Sequence, residues 1–487
     1  MTAVLLLLVV VPALAAVVAG SLRSDAARRV VAVVAAGVVA VLALAVLPAA
    51  LRAPVLVELG DVPWLAGLVE GPMFGVLLDP LSAVLLLVAA VIGFLTVLYS
   101  TGYLREANRD HPVGHEGQAR YYFWLLAFLA SMTGVAVAPS FLQLLVFWEL
   151  TTVCSWALIS FRQDGPSLAA GFKALVMTHV GGAFFLIAVL VLFAVTGSFG
   201  FDALARLPDQ LRPWVFLMLV VAAWAKSAQV PLHTWLPDAM AAPTPISAYL
   251  HAAAMVKAGV YLVARAASSG WAMPPRVAVV LGAMAVVTMF VALSYYFVQD
   301  DLKRLLAFST IAHLGYVLLG VALGALGSLT AFRGGVLHIA CHGFAKATLF
   351  LCAGAIAYVT GSRSIAALGG LARTMPLTAA AFFTGVLAVA GLPPFACFWS
   401  KFMILSGAME LRGPVGPVVL VLVLVESLVA FAWLLHVGQK VFLGAPTPAA
   451  AVHSDPPAAM SVVLVVLMIG CLVVPAVAMP LVLGLVR

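Results

Sequence analysis

Charge is what this sequence has least of. Of 487 residues only 9% are Asp, Glu, Lys or Arg, 65% are hydrophobic, and mean hydropathy is +1.18. A soluble domain carries roughly 25% charged residues, so a water-exposed globular surface is excluded for most of the chain. No CxxC occurs either. The five cysteines (Cys154, Cys341, Cys352, Cys397 and Cys471) are scattered through apolar segments, which suggests neither a disulfide framework nor a thiolate metal site. The sequence contains no nucleotide-binding loop, flavin site or iron–sulfur ligand set, and no bound cofactor is expected beyond lipid. The net charge of +7 is not read as a nucleic-acid signal. In a membrane chain it reflects basic loops and intramembrane lysines.

Apolar runs are what the sequence has instead. Stretches of about 20 residues, the length that crosses the hydrocarbon core, fall at 1–20, 29–51, 77–99, 121–138, 139–161, 167–195, 213–230, 246–266, 276–298, 304–326, 330–359, 375–408, 414–441 and 458–485. They predict an all-α polytopic membrane protein of about fourteen transmembrane helices. Residues 1–20 lack a basic leader and read as a first spanning helix, not a cleaved signal. Basic residues orient the chain. With the N-terminus outside, twelve lie in cytoplasmic loops (Arg23, Arg28, Arg29, Arg105, Arg109, Arg120, Arg162, Lys303, Arg304, Arg363, Arg373 and Lys440). Eight lie opposite (Arg52, Arg206, Arg212, Arg265, Arg276, Arg333, Arg412 and Arg487). The acidic second loop, with Glu58, Asp61 and Glu70, agrees. A bacterial or archaeal cytoplasmic membrane is the expected location, with the C-terminus outside as well.

The other five basic residues, Lys173, Lys226, Lys257, Lys346 and Lys401, all fall inside predicted spans. Each costs about 3 kcal/mol or more at mid-membrane unless paired or hydrated, so five in five different helices call for a reason. Two stand beside helix breakers. Lys226 precedes Pro231, and Lys401 follows Pro393 and Pro394. Proline deletes a backbone hydrogen bond, and in lipid such a break survives only beside protein or water. The two broken spans stand five positions apart in the helix order, which suggests two inverted five-helix repeats, a pattern that in transporters marks an ion path. The chain then divides into N-terminal helices (1–120), a first repeat (121–266), a second repeat (267–441) and a C-terminal helix (442–487).

The polar residues of the spans sharpen this reading. The fifth span holds Glu149, with no basic residue of its own. The sixth holds Lys173 and His179, the seventh Lys226, the eighth His251 and Lys257. The tenth holds His313, and the eleventh His338, His342 and Lys346. The twelfth holds Lys401, and the thirteenth Glu426 and His436. His338, His342 and Lys346 are spaced i, i+4, i+8, one stripe of about 12 Å on one helix face. Histidine titrates near neutrality and a buried lysine can be shifted toward it, so such a row can pass protons. Plainer readings compete. His338 and His342 also have metal-ligand spacing, but no acidic or cysteine ligand lies nearby, so no metal is expected. Lys346 can snorkel to the interface, and Glu149 can belong to a structural ion pair. Lys173 lies only a turn or two into its span and can reach either way. His111, His115 and His453 read as solvated loop residues, and Asp79 as a helix cap.

Residues 224–265, WAKSAQVPLHTWLPDAMAAPTPISAYLHAAAMVKAGVYLVAR, closely resemble the central motif of the proton-translocating, antiporter-like membrane subunits. These occur in respiratory complex I, Mrp-type multisubunit cation/proton antiporters and membrane-bound hydrogenases. VFWELTTVCSWALISF (146–161), DLKRLLAFSTIAHLGYVLLG (301–320) and GLPPFACFWSKF (391–402) resemble the family's other signatures, and the likeness runs over about residues 121–410. By position it implies that Glu149 is the helix-five glutamate, paired with Lys226 on broken helix seven. His251 and Lys257 take the polar positions of helix eight, and His338, His342 and Lys346 the central relay. Lys401 takes the terminal lysine, with Lys173, His179, His313 and Glu426 as secondary candidates. Lysine at 401 groups the chain with the distal complex I subunit and the Mrp large subunit. HVGGAF (179–184) lacks an aspartate that the distal subunit carries. The chain also ends at Arg487, short of the extensions of either, so the particular complex stays open. The resemblance implies other membrane subunits as partners, protons and possible sodium as cargo, no catalytic site of its own, and an energy source elsewhere, such as an NADH:quinone oxidoreductase or hydrogenase module. An alternative from the same family is the membrane subunit of an inorganic-carbon uptake complex; a helix-gluing scaffold is the non-transport reading.

Overall fold

The structure, a computed structural model, describes residues 2–60, 67, 69–448 and 455–486. Asp61, His453 and Arg487 lie outside the described residues, as does the side chain of His115. Helices α1 (Thr2–Ser21), α2 (Asp25–Ala50), α3 (Pro80–Tyr103), α4 (His115–Val137), α5 (Phe141–Ile159) and α6 (Gly165–Thr196) come first. Then follow α7 (Arg212–Lys226), a single turn α8 (Trp235–Asp238), α9 (Thr244–Ala252), α10 (Met255–Ser268), α11 (Pro275–Tyr296), α12 (Leu302–Ala325) and α13 (Leu329–Thr360). The last are α14 (Pro376–Ala390), α15 (Ala396–Met409), α16 (Val415–Gly438) and α17 (Ala458–Leu483). One antiparallel hairpin, β1 (Val55–Glu58) with β2 (Gly75–Leu78), lies in the acidic second loop, where no strand was expected.

The starts follow from the sequence. Asp79, Ser140, Asp164, Asp301 and Ser328 each accept a backbone N–H from the first turn of the helix they precede, which removes an orphan donor. Asp79 is thus a cap, as expected, but it also holds Arg265.

Twelve helices among the described residues are long and apolar enough to cross a membrane. The seventh and twelfth predicted spans are the two outside that number, because each is broken. The seventh was drawn to residue 230 but stops at Lys226. Ala228 turns into the left-handed region at φ 48°, and Pro231 follows. The twelfth is two helices, α14 and α15, joined through Gly391 at φ 86° and the Pro393–Pro394 pair. The eighth, drawn as one helix over 246–266, is also interrupted. Ala254 leaves helical geometry at φ −110°, ψ −121°, and separates α9 from α10. Carbonyls freed by the two proline breaks are taken by side chains: Ala225 O accepts from Trp235 Nε1 at 2.9 Å, and Ala390 O from Lys401 Nζ at 3.1 Å.

The core inverts the arrangement of a soluble protein. The spans at 244–268, 302–325 and 329–360 are enclosed on all sides, and they carry most of the buried histidines and lysines. The outer helices α1, α2, α6, α16 and α17 are apolar nearly throughout and expose Leu and Val to the surroundings. With no water in lipid to hydrate a polar group, polar groups go inside. Close packing at the centre needs glycine. A Cβ on Gly320 of α12 would lie 2.7 Å from Gly335 Cα of α13, so the two backbones touch where the buried row runs between them.

Candidate functional site

The titratable residues lie along α5, α7, α9, α10, α12, α13, α15 and α16. Lys226, His251, Lys257, His338, His342, Lys346 and Glu426 have no exposed surface, and His313 and Lys401 almost none. Lys346 therefore does not snorkel.

At one end, the expected Glu149–Lys226 ion pair is not a direct contact. Glu149 Oε2 meets His179 Nδ1 at 2.9 Å. Lys226 Nζ donates to Trp148 O at 2.8 Å and to Thr152 Oγ1 at 2.6 Å, with the indole of Trp148 below it. Both partners lie on α5, so Lys226 is held against Glu149's helix and not by its carboxylate. The second carboxylate oxygen, Oε1, is buried without a hydrogen-bond partner among the described residues. It rests over Gly182, where a Cβ would come to 1.8 Å. The HVGGAF segment thus supplies a histidine for one oxygen and an empty flank for the other.

From Lys226 the polar line crosses the break. Ser227 Oγ donates to Val256 O at 2.9 Å, beside Lys257, and Gln229 Nε2 donates to Ser227 O at 2.9 Å and to Ile311 O at 3.3 Å. Lys257 Nζ meets His342 Nδ1 at 2.6 Å.

Here the structure corrects the expected stripe on α13. His338 and His342 do stack on each other, centroids 5.8 Å apart, and His313 of α12 completes a triangle with them, its ring centroid 5.1 Å from His342 and 5.3 Å from His338. Its Nδ1 lies 3.0 Å from His338 Nε2. Lys346 instead donates to Ser309 Oγ and Leu306 O on α12.

His338 continues to Ser400 Oγ at 2.8 Å, next to Lys401. Lys401 Nζ donates to Ser427 Oγ at 2.8 Å and lies 4.6 Å over the Tyr316 ring. Tyr316 OH contacts Ser427 Oγ at 2.6 Å and donates to Glu426 Oε2 in a close bond. Glu426 is thus the carboxylate at the far end.

Other candidates fall elsewhere. Lys173 lies off the row near the start of the 32-residue α6, paired with Asp238 at 2.7 Å. Lys303, assigned to a loop, is fully buried and caps Met240 O and Ala242 O at 2.9 and 2.7 Å. His111, expected to be solvated, is buried against Arg162. Burial, helped by Arg162 and Lys303, pushes its pKa down to about 3. His436 packs beside Trp433 on exposed α16. The five cysteines are buried and free. Among the described residues no group of three His, Cys, Asp or Glu could hold a metal. Sequence reasoning missed Thr152, Gln229, Ser309, Tyr316, Ser400 and Ser427, which are uncharged. Their one signal is position: Ser400 and Ser427 adjoin Lys401 and Glu426, and Tyr316 lies one turn from His313.

A bundle of spanning helices, three of them broken, around such a buried row of ionisable groups defines a class of polytopic membrane subunit. Residues 138–430 match the family described as NADH:quinone oxidoreductase/Mrp antiporter, TM, and residues 71–122 match NADH-Ubiquinone oxidoreductase (complex I), chain 5 N-terminus. The chain belongs to the NADH:quinone oxidoreductase/Mrp antiporter family. It is 37% identical over 353 residues to NAD(P)H-quinone oxidoreductase subunit 5, chloroplastic, of Anthoceros angustus, covering 68% of this chain and 46% of the relative. It is 37% identical over 359 residues to NAD(P)H-quinone oxidoreductase chain 5 of Synechocystis sp., covering 69% and 50%. The chain spans about half the length of the curated relatives it matches. Among solved structures, the Mrp complex from Dietzia sp. superposes with a TM-score of 0.84 at 29% identity, over 100% of this chain and 52% of that one. The membrane-bound sulfane sulfur reductase, an archaeal respiratory membrane complex, also gives 0.84, at 26% identity, over 99% and 96%.

Proposed function

We propose that this chain moves protons as the antiporter-like subunit of a multisubunit membrane complex, of the Mrp-type Na+/H+ antiporter or a redox-driven relative. The observation that carries the reading is the buried row from Lys257 through His342, His313 and His338 to Ser400, joined by contacts of hydrogen-bond or stacking distance, with Lys401 next in the chain. Each member can hold or release a proton, and an intramembrane ionisable group is costly enough that nine of them need a task. The carboxylates stand only at the two ends, Glu149 and Glu426. A change of charge at either end is weakly screened inside and biases the next cation.

Partners follow from exposure. The His179 side chain is 69% exposed and that of Glu149 29%, midway along spanning helices. Lipid is a poor neighbour for an ion pair, so a second membrane subunit is the proposed occupant of that face, bringing a polar group to Glu149. Lipid is expected around the remaining apolar helices. The names of the related complexes support the subunit reading. A bacterial or archaeal cytoplasmic membrane is our reading of its location, supported by the Dietzia and archaeal likenesses.

The test is transport by the intact complex in vesicles with a pH-sensitive dye, driven by a sodium pulse or by a redox donor. Glu149→Gln and Lys226→Ala are compared with wild type. Loss in both variants, with the complex assembled, supports the reading, and the drive that works separates Mrp-type exchange from a redox pump. Assembled variants that match wild type under either drive would refute it.

A further inference from the structure

Two arginines at one end of the bundle stand without partners. α11 starts where α10 finishes, at the end that holds Asp79 and Arg265, opposite Asp110. Arg276 lies in its first turn, and Arg412 lies just before the first turn of α16. Both are exposed. Among the described residues neither side chain makes an ion pair or a hydrogen bond. Glu410, two residues from Arg412, instead accepts from Ser328 Oγ at 2.7 Å.

A groove runs into the membrane-facing surface between the same helices. Its cavity of about 350 Å³ is lined by Ala, Gly, Val, Met-free aliphatic side chains alone, from the first three turns of α11, the last two of α12 and the first two of α16. Small residues open it: a Cβ on Gly282 of α11 would stand 3.3 Å from Ala322 Cβ of α12. Val279 and Val418 at its lip are exposed. From Ala278 to Val286 it is about 12 Å deep, close to half of the roughly 30 Å hydrocarbon core, which is one leaflet. A water inside it has no polar partner. Arg276 stands two residues before Ala278 and Arg412 three before Val415, so the mouth carries two positive charges and the walls none.

This shape and charge select the occupant. A neighbouring spanning helix needs a face through both leaflets, and the groove ends at mid-membrane. Guanidinium groups form charge-assisted, bidentate bonds with phosphate oxygens. A zwitterionic headgroup brings its own cation to that phosphate, so a net anionic one suits the two arginines better. We propose that the groove binds an anionic phospholipid, its phosphate between Arg276 and Arg412 and one acyl chain between α11, α12 and α16. The site does not depend on what the buried row carries. Its floor, at Leu319 and Leu422, lies about one turn from Tyr316 and Glu426. The acyl chain therefore fills the gap beside the bond that ties α12 to α16.

The experiment uses the assembled complex in detergent with phosphatidylglycerol that carries a photoactivatable diazirine on its acyl chain. After illumination, the labelled segments are mapped by mass spectrometry. Label is expected on 278–286, 319–326 and 415–422, displaced by unlabelled phosphatidylglycerol and not by phosphatidylcholine. Arg276→Gln combined with Arg412→Gln should lower it about tenfold, through loss of charge-assisted bonds. Ala283→Trp, which fills the groove, should abolish it with both arginines in place. Label on other apolar helices such as α1 but none on these segments would mean that a neighbouring subunit covers the face, and would overturn the site. Equal displacement by phosphatidylcholine, or unchanged labelling in the arginine variant, would show a groove for any acyl chain and overturn the anionic site. Should a variant not assemble, the two competitors on the wild-type complex decide.

Discussion

Lys257 and His342 meet at 2.6 Å across α10 and α13, the one direct hydrogen bond among the described residues between a lysine of the first repeat and the histidine stack. The contact depends on the interruption at Ala254, which starts a new helix three residues before Lys257. A buried cation contributes little net stability when an apolar residue can fill its place. Lys257→Met should therefore change thermal stability by less than about 2 kcal/mol, the relief of desolvation offsetting the bond His342 loses. Transport should fall at least a hundredfold. A large stability loss with parallel loss of transport would make Lys257 a structural residue.

Gly182 should be intolerant of a single methyl group. Its Cβ would stand 1.8 Å from Glu149 Oε1, and the carboxylate must turn away toward His179. Gly182→Ala should cost about 1–3 kcal/mol and lower transport toward the level of Glu149→Gln. Thermal unfolding and dye-monitored transport on one preparation check both. Full transport in Gly182→Ala would show that the carboxylate's position does not matter.

Asp79 and Arg265 form a nearly buried pair at the end opposite Asp110. Burial pushes the Asp79 carboxyl up, but the charge and hydrogen bonds of Arg265 outweigh it and hold it below the usual range. Asp79→Ala leaves the guanidinium uncompensated and should destabilise by about 3–5 kcal/mol, seen as a lower unfolding temperature of the assembled complex. An unchanged melting curve would refute the pair's role.

His111 gives a pH dependence. Its pKa falls from 6.5 to about 3 in the folded chain, through burial first and then Arg162 and Lys303. Between those values the unfolded state binds the proton and the folded state does not. Its contribution is thus complete above about pH 6.5 and is lost as pH falls toward 3, with a slope of at most about 1.4 kcal/mol per pH unit. His111→Gln should flatten the decline in melting temperature between pH 6.5 and 4. An identical decline in the variant would assign it to other groups.

The sequence displayed the spanning helices because lipid demands long apolar runs, and it displayed two breaks because proline and glycine mark them. The break at Ala254 was illegible: LHAAAMVKAG contains good helix formers on both sides, and packing against α3 and α13 decides the outcome. The charged candidates were legible by their cost in a membrane. Their pairing was not, because Glu149 meets His179 and Lys226 meets a carbonyl and a hydroxyl. Thr152, Ser309 and Ser427 pass in a membrane helix without penalty, so nothing distinguished them before the helices were assembled.

The near-parallel rings of His313 and His338, 5° apart with nitrogens at 3.0 Å, carry a consequence for timing. One imidazole must donate and the other accept, so the tautomer of each dictates that of its neighbour. A proton entering at one edge and leaving at the other reverses every ring it crosses. The stack is then poised the wrong way round until the rings turn over or protons return by another route. Two adjacent rings cannot be charged together either, since unit charges about 5 Å apart repel by about 3 kcal/mol at an effective dielectric of 20. On the proposed function, such a stack would admit one proton at a time and would need its empty imidazoles reset before the next.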